Sequence, residues 1–415
     1  MTNFTHKFSK LVLAATIQVV SVALFLVVFG VSAAFAQPRA YVTNALNNTV
    51  SVIDSATNTV VATIPVGLTP EGIAVTPDGA FAYVANFNTN DISVISAATN
   101  TVVATIPVGK NPFGTAITPN GAFAYVANDT TISVIQIATN TVIATVPVGA
   151  RPIGVAITPD GAFAYVANFI GDSVSVINTA TNTVSATIPG ITLPIFVAIT
   201  PNGAFAYVTQ AGGTVAVIDT GTNTVTATIP VGLAPQAIDI TPNGAFAYVA
   251  NFGNTVSVID TATNTVSATI SVPNPEGIAV RPDGAFVYVV GNSDNNVTVI
   301  DTATNTVTAS IPVGTGPVLI AFPTRGQVDP IDALIAQVQA LVAGGSLTQN
   351  QAAGLLSKLQ EIQTKLDNGQ TAAACKQLSS FINQVTGLVN NGSLTASQGQ
   401  ALIDAANAIK ASIGC

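Results

Sequence analysis

Most of the chain alternates between short hydrophobic runs and short polar segments rich in Gly, Asn, Asp and Pro. Residues 76–109, TPDGAFAYVANFNTNDISVISAATNTVVATIPVG, contain three such runs, and a fourth run, GIAV, immediately precedes them. The runs are rich in β-branched residues and too short for helices, so each is predicted to be a β-strand. Both faces of these strands are apolar, which predicts sheets that are packed on both sides.

This segment is one copy of a repeat. Each copy contains one tyrosine, and successive tyrosines lie 40 to 42 residues apart. A period near forty residues with four strand-like runs per copy indicates the blades of a β-propeller. The seven tyrosines of the chain mark seven copies: Tyr41, Tyr83, Tyr125, Tyr165, Tyr207, Tyr248 and Tyr288.

The order of the runs predicts how the ring closes. The repeat region begins at a tyrosine-type run, Ala40-Tyr41-Val42, and ends at a first-type run over residues 319–322. The last run is therefore expected to complete the blade that the N-terminal strands begin, which leaves no free sheet edge at the join. The predicted fold is an all-β seven-bladed propeller of four-stranded antiparallel blades. First-type runs begin near Ile73, Thr115, Val155, Val197, Ile238, Ile278 and Leu319.

Two kinds of turn recur in nearly every copy. A Pro-Asp-Gly or Pro-Asn-Gly turn, as at residues 77–79, joins the first and second runs, because proline fixes φ and glycine accepts a positive φ. An Ala-Thr-Asn-Thr segment, as at residues 98–101, joins the third and fourth, and its asparagine tolerates the left-handed conformation. These repeated residues are interpreted as scaffold.

The sequence Tyr41-Val42-Thr43-Asn44 and its relatives, together with the two turn types, resemble the YVTN family of β-propeller repeats over about residues 38–326. The resemblance implies a secreted or surface-layer-like protein. Two copies depart from the motif, where Gln210 and Gly291 occupy the position of the motif asparagine.

The composition changes at Gln327. Helical periodicity then predicts four helices, the first starting at Pro330, the second capped by Thr348, and the others over about 371–389 and from 395 to 413. An internal echo, LVAGGSLT at 341–348 and LVNNGSLT at 388–395, predicts two similar hairpins in a four-helix unit. The segment resembles the FIMAH domain of secreted bacterial proteins. The predicted domains are thus a signal peptide (1–36), the propeller (37–326) and a helical domain (327–415).

The two cysteines of the chain, Cys375 and Cys415, both lie in this tail. Cys375 falls early in the third helix and Cys415 follows the fourth, so antiparallel packing would bring them together. An exported chain would oxidise the pair to a disulfide. Unpaired thiols or an intermolecular bond are the alternatives.

The N-terminus has the pattern of a secretory signal. A leader with Lys7 and Lys10 precedes an apolar run, which ends in a small-x-small motif with predicted cleavage between Ala36 and Gln37. The run is also long enough to be an uncleaved membrane anchor. The expected location is extracellular or in the cell envelope, that is, periplasm or surface, with no further membrane span after cleavage.

Charge and composition exclude several classes of function. The formal net charge is −8 with 7% charged residues, which is unfavourable for nucleic-acid binding. The single histidine, His6, lies in the signal, so a Ser-His-Asp triad is excluded from the mature chain and a metal site is not expected. The first-type runs contain one charge, Asp239, where a channel-centred enzyme would need several. Aspartates that end third-type runs are interpreted as turn caps: Asp54, Asp219, Asp260 and Asp301.

The copies differ mainly at the rim opposite the conserved turns, where a rigid scaffold would present binding loops. The phenylalanines of this rim could instead pack beneath their own loops. The candidate binding residues are Glu71, Phe87, Asn88, Asp91, Phe113, Arg151, Phe169, Asp172, Phe252, Glu276 and Asp294.

We therefore expect a secreted, non-catalytic binding or surface-structural propeller without cofactor, whose helical tail serves attachment or association. The expected partner is a protein or a cell-envelope or extracellular glycan. The alternative is a lactonase-like propeller enzyme with its active site at the channel mouth, in which Arg151, Arg281 and Glu276 are possible groups.

Overall fold

The computed structural model describes residues 39–323, 330–343, 345–367, 370–413 and 415. The predicted signal segment and its cleavage position lie outside these residues. The described chain forms seven four-stranded antiparallel sheets, followed by four helices. The seven-bladed propeller predicted from the repeat pattern and the helical C-terminal unit predicted from helical periodicity are thus confirmed.

The blades follow one another along the chain. Blade 1 contains β28 (Pro317–Ala321), β1 (Arg39–Asn44), β2 (Thr49–Asp54) and β3 (Thr59–Pro65). Blade 2 contains β4 (Pro70–Val75), β5 (Phe81–Asn86), β6 (Asp91–Ser96) and β7 (Thr101–Pro107), and blade 3 contains β8 (Thr115–Ile117), β9 (Phe123–Ala127), β10 (Thr131–Gln136) and β11 (Thr141–Pro147). Blade 4 contains β12 (Pro152–Ile157), β13 (Phe163–Asn168), β14 (Ser173–Asn178) and β15 (Thr183–Pro189), and blade 5 contains β16 (Pro194–Ile199), β17 (Phe205–Gln210), β18 (Thr214–Asp219) and β19 (Thr224–Pro230). Blade 6 contains β20 (Pro235–Ile240), β21 (Phe246–Asn251), β22 (Thr255–Asp260) and β23 (Thr265–Ser271), and blade 7 contains β24 (Pro275–Val280), β25 (Phe286–Gly291), β26 (Asn296–Asp301) and β27 (Thr306–Pro312).

Blade 1 closes the ring as the order of runs predicts. Its inner strand β28 comes from the C-terminal end of the repeat region and pairs antiparallel with β1, with Tyr41 opposite Ala321 and Val42 opposite Ile320. The closure joins the two ends of the repeat region in one sheet, so neither end leaves an unpaired strand inside the ring.

Within each blade, burial falls from the inside outward. The second and third strands are buried on both faces, as in β5 and β6, because they are sandwiched between neighbouring blades. The outermost strand, such as β7, alternates between exposed and covered positions. It also contains a register shift opposite Val94 and Ile95, an irregularity that discourages edge-to-edge pairing.

The repeated tyrosines lie in the hydrophobic layers between blades and are at most 1% exposed. The hydroxyl of Tyr125, for example, donates to Oδ1 of Asn182 in the next blade at 2.7 Å. Five further pairs repeat this bond: Tyr83–Asn140, Tyr165–Asn223, Tyr207–Asn264, Tyr248–Asn305 and Tyr288–Asn58. The repeat therefore specifies contacts between blades as well as strands within them.

The seventh pair, at the seam between blades 1 and 2, does not form. The Tyr41 hydroxyl and the Oδ1 atom of Asn100 are both buried and do not bond to each other. Arg39 stands where the other copies have phenylalanine, and its guanidinium donates to the Ala97 carbonyl beside the Asn100 turn at 3.2 Å. The seam next to the closing blade thus differs from the other six.

The two turn types adopt the predicted conformations. Gly79 has φ +70° and Asn58 has φ +54°, the left-handed region that each residue tolerates. The aspartates that end third strands accept backbone N–H groups of the turn, as Asp54 does from Ala56 at 2.8 Å, so their predicted capping role is confirmed.

The helical unit contains α1 (Pro330–Ala343), α2 (Gln349–Asp367), α3 (Thr371–Asn390) and α4 (Ala396–Ser412), close to the predicted bounds. Helix α4 begins with a capping box of Thr395 and Gln398. The core of the helical unit comprises buried residues from all four helices, including Leu334, Leu359 and Phe381. Cys375 and Cys415 form the predicted disulfide. None of the helices that the structure describes combines the length and hydrophobicity needed to span a bilayer.

Candidate functional site

The propeller has two unlike faces. The turn face carries the Pro-Asp-Gly and Ala-Thr-Asn turns. Polar groups of the first type bond within the turn, as when Thr76 and Asp78 bond to each other and to the backbone. Asparagines of the second type accept from a tyrosine of the neighbouring blade in six copies. The loop face carries the connections between second and third strands and those that lead into each inner strand. Side chains differ between copies chiefly on the loop face.

The inner strands surround a central channel, which contains a cavity of about 610 Å³. Its lining consists mainly of the Ile, Val and Ala side chains of the inner strands, and prolines of the turn face line it at one end. Asp239 is the one charged residue among the described residues that line the cavity, at the position where other blades have alanine.

Both carboxylate oxygens of Asp239 have backbone partners. Oδ1 accepts the Ile240 N–H and Oδ2 accepts the Val280 N–H of blade 7, each at 2.8 Å. Burial raises the pKa of Asp239 to about 6, although these two hydrogen bonds lower it. Asp239 therefore bridges the inner strands of blades 6 and 7, and each of its oxygens has one acceptor site occupied by a backbone N–H group.

The loop-side mouth of the channel is defined by seven equivalent positions, each the residue after the proline at the start of an inner strand or in the connection to it. One side of this ring is polar and the other is apolar. The polar side consists of Gln236 of blade 6, Glu276 of blade 7 and Glu71 of blade 2, and Val318 of blade 1 lies between the two glutamates. The ring consists of Glu71, Phe113, Ile153, Ile195, Gln236, Glu276 and Val318.

Glu71 and Glu276 form a carboxyl pair that flanks blade 1. Burial, and after it the negative charge of Glu276, raises the pKa of Glu71 to about 7. Burial raises the pKa of Glu276 to about 7 against a hydrogen bond from the Asn292 side chain, which lowers it. The Thr43 hydroxyl donates to the backbone carbonyl of Glu71 at 2.8 Å and so fixes the strand that presents it.

Two aromatic rings lie on the other side of the mouth. Phe113 of blade 3 and Phe196 of blade 5 approach each other with ring centroids 6.3 Å apart, although blade 4 separates their blades. Phe196 occupies the position of Gly72 in the repeat, and the Thr209 hydroxyl accepts its N–H at 3.0 Å. The regular strand of blade 3 starts only at Thr115, after Phe113. The mouth is therefore acidic on one side and aromatic on the other.

The polar candidates of the outer rim mostly hold their own loops in place. Asp172 accepts the Leu193 N–H at 2.8 Å, and Asp91 accepts from the Asn86 side chain at 2.6 Å. The Asn88 side chain donates to the Thr69 hydroxyl at 2.6 Å. Among the described residues, the exposed Asp294 has one side-chain contact, a long one of 3.5 Å from the Asn274 side chain.

The aromatic and basic candidates lie along the same rim. The Arg151 guanidinium lies 5.4 Å from the centroid of the half-buried Phe169 ring. Phe87 is also half-buried, whereas Phe252 is 45% exposed. Arg281 lies on the turn face instead, in an ion pair of 2.7 Å with Asp283. The structure thus brings Glu71, Glu276 and Phe113 together at the mouth and leaves the other candidates on the outer rim.

Sequence reasoning missed several residues of this face. Phe196 replaces a glycine of the repeat, and that departure was the available signal. Leu46 and Leu233 are 77% and 78% exposed, and such large apolar side chains break the polar character expected of loops. Among the described residues, no cluster of three or more His, Cys, Asp or Glu could hold a metal ion.

Comparisons with known proteins agree with this architecture. Residues 29–120 match the family model of the YNCE-like β-propeller, and residues 331–411 match that of the FIMAH domain. No curated protein sequence matches the chain.

Among solved structures, hydrazine synthase of Kuenenia stuttgartiensis is 26% identical with a TM-score of 0.58, over 63% of this chain and 92% of that one. A functionally unknown protein from Desulfotomaculum acetoxidans DSM 771 is 18% identical (TM-score 0.62, 68% and 98% covered). Dihydro-heme d1 dehydrogenase NirN in complex with DHE is 13% identical (TM-score 0.56, 70% and 76% covered). The last two likenesses show the fold alone. The similar propellers thus include enzymes and a protein of unknown function.

Proposed function

We propose that this chain, which joins a seven-bladed YNCE-like β-propeller to a C-terminal FIMAH domain, is an exported, non-catalytic binding protein. The loop face takes the ligand, and the helical domain provides attachment or association. The signal-like N-terminus and the Cys375–Cys415 disulfide support export.

The observation that carries this proposal is the difference between the two faces. The turn face repeats the same turns around the ring, and their polar groups bond to other groups of the propeller. The loop face presents side chains that differ from blade to blade on the same rigid scaffold. The loop face also exposes large apolar residues at places where two neighbouring loops meet. Exposed apolar residues of this kind are typical of interaction surfaces. The Leu233 carbonyl accepts the Gly253 N–H at 3.1 Å, which places Leu233 beside the exposed Phe252.

Attachment through the tail is compatible with this arrangement. The propeller chain ends at Pro323, which lines the channel cavity near the turn face, and α1 begins at Pro330. Seven residue steps span at most about 25 Å, so the helical unit is tethered near the centre of the turn face. The loop face on the opposite side is left to the ligand.

The test uses the purified exported chain on peptide and glycan arrays. A Leu233→Ser/Phe252→Ser variant should give a signal at least tenfold weaker for any probe that the original chain binds. A Val61→Thr/Val103→Thr variant is the matched control, because both valines are about half exposed on outer strands, where two other copies have threonine, Thr226 and Thr308. Loss in the control variant but not in the loop-face variant would refute the proposal. N-terminal sequencing of the extracellular fraction tests export, and an uncleaved cytoplasmic product would contradict it.

A lactonase-like enzyme is the second candidate, favoured by one observation. Glu71 and Glu276 have pKa values near 7, the range in which a carboxyl group can act as general acid or base. Hydrolysis of a lactone panel that is abolished by both Glu71→Gln and Glu276→Gln would support this candidate over the binding role.

A further inference from the structure

The loop face combines exposed apolar side chains with unpaired negative charge. Its charged residues comprise six carboxylates and two cations: Glu71, Asp91, Asp129, Asp172, Glu276 and Asp294 against Lys110 and Arg151. In the described part of the chain, none of these carboxylates takes part in an ion pair. The field over this face therefore attracts cations.

The apolar residues are spread around the same face rather than gathered at one loop. Each lies where a connection into an inner strand meets a neighbouring loop, as Leu68 does beside Asn88, whose N–H donates to the Leu68 carbonyl at 3.2 Å. Side chains placed so widely exceed what a small amine could cover. They are Leu46, Leu68, Ile170, Leu193, Leu233 and Phe252.

We propose that the loop face binds a basic, apolar polypeptide segment, with one lysine or arginine side chain held between Glu71 and Glu276 and an adjacent apolar side chain against Phe113 and Phe196. This proposal deepens the binding function above and rests on it. The acidic side of the mouth complements the cation, the aromatic side complements its neighbour, and the exposed rim residues accept further apolar side chains.

The carboxyl pair gives the interaction a pH dependence. The charged group that acts on Glu71 is Glu276, and the contacts of the pair with Asn292 and Thr43 involve neutral groups. Because both pKa values are near 7, the ionised fraction of each carboxyl rises about tenfold between pH 6 and pH 8. A lysine peptide stays cationic over this range, so its affinity should rise about tenfold.

The test titrates the full chain with three fluorescein-labelled nonapeptides and follows anisotropy. The peptide (Ser-Lys-Phe)3 should bind at least tenfold more tightly than (Ser-Glu-Phe)3 and (Ser-Lys-Ser)3. Unlabelled spermidine, used as a small-amine competitor, should displace it only at concentrations far above those of unlabelled (Ser-Lys-Phe)3.

The decisive variant is Glu71→Gln/Glu276→Gln, which should weaken (Ser-Lys-Phe)3 at least tenfold and abolish the pH dependence. The matched control, Asp78→Asn/Asp160→Asn, removes two carboxyl groups from the turn face. Asparagine already fills that turn position at Asn120 and Asn202, so the control should fold and bind like the original chain. Circular dichroism verifies the fold of both variants.

Several outcomes would overturn the proposal. Equal loss in the two variants would show non-specific charge attraction, and equal binding of (Ser-Glu-Phe)3 would show apolar contact alone. Displacement by spermidine as effective as that by the peptide would assign the mouth to small amines. If none of the peptides binds but an array probe still depends on Leu233 and Phe252, this inference fails while the loop-face binding function stands.

Discussion

The hydrogen bond between each tyrosine and the next blade should contribute measurably to stability, and the irregular seam provides an internal control. Tyr125→Phe removes the hydroxyl that donates to Asn182 at 2.7 Å. A net buried hydrogen bond contributes about 1 kcal/mol, and the acceptor left without its donor adds to the loss, so we expect destabilisation of about 1–2 kcal/mol. Tyr41→Phe removes an equally buried hydroxyl that does not bond to Asn100, so it should change stability by less than about 0.5 kcal/mol.

The assay is urea unfolding of the full chain, followed by far-UV circular dichroism at pH 7. A double-mutant cycle with Asn182→Gly, chosen because Asn182 has φ +52°, should give a coupling energy of about 1 kcal/mol. The corresponding cycle of Tyr41→Phe and Asn100→Gly should give no coupling. Equal losses for Tyr41→Phe and Tyr125→Phe would refute the reasoning that the bond, rather than tyrosine burial, holds adjacent blades.

The seam also allows the reverse experiment. Arg39 stands where six other copies have phenylalanine, and its guanidinium donates to Ala97 beside the Asn100 turn. Arg39→Phe should let Tyr41 bond to Asn100 and raise stability by about 1 kcal/mol. A coupling between Tyr41 and Asn100 that appears only in the Arg39→Phe background would demonstrate the repair, and its continued absence would contradict it.

Three further predictions follow from close packing, the disulfide and the buried carboxyl pair. Gly72→Ala should cost at least about 3 kcal/mol, because the added Cβ would lie 1.7 Å from the Phe113 carbonyl oxygen and only a backbone shift can relieve that clash. Reduction of the Cys375–Cys415 bond, which closes a loop of 40 residues, should remove about 4 kcal/mol from the helical unit and lower its melting transition alone, as followed by calorimetry. Folding raises the pKa of Glu71 from 4.5 to about 7, so its contribution to stability is present below pH 4.5 and is lost as pH rises through 7, by up to about 3 kcal/mol in urea titrations.

Each of these predictions has a matched control. Gly212→Ala should be nearly neutral, since a Cβ there meets no atom within 4 Å and φ is not positive. Reductant should leave the propeller transition unchanged, because both cysteines lie in the tail. Glu71→Gln should flatten the pH profile, and a profile that stays as steep would show that Glu71 is not the titrating group.

The sequence alone predicts which positions lie on the loop face, but not which of their side chains face a ligand. Glu71, Glu276 and Phe113 could be assigned to the rim because the repeat places them at equivalent positions. The same logic placed Asp91 and Asp172 there, yet their carboxylates bond to Asn86 and to the Leu193 N–H. Whether a rim side chain faces a ligand or its own loop depends on distances between loops, which the pattern of the repeat does not specify.

Local chemistry determines the fold of this protein from its sequence. Strand length, turn residues and the count of copies specify seven blades, and the offset of the first and last runs specifies that β28 completes blade 1. The disulfide follows from two cysteines placed to meet in antiparallel helices. The strands and turns depend on residues within one repeat and the disulfide on one helical hairpin, where spacing along the chain fixes spacing in the structure. The ring closure depends on the order of strand types along the chain, which the sequence also shows.

Only the closed ring decides what the mouth contains. Glu71 and Glu276 are far apart in the chain, and closure sets them on both sides of blade 1. Burial raises the pKa of each carboxyl there, and the charge of Glu276 raises the pKa of Glu71 further. Phe113 and Phe196 approach each other although blade 4 lies between the two blades that carry them. The unmade Tyr41–Asn100 bond also lies between blades, at the seam of blades 1 and 2 where the Arg39 guanidinium donates to Ala97. These features arise between blades, and a blade-to-blade distance depends on every side chain packed in the ring.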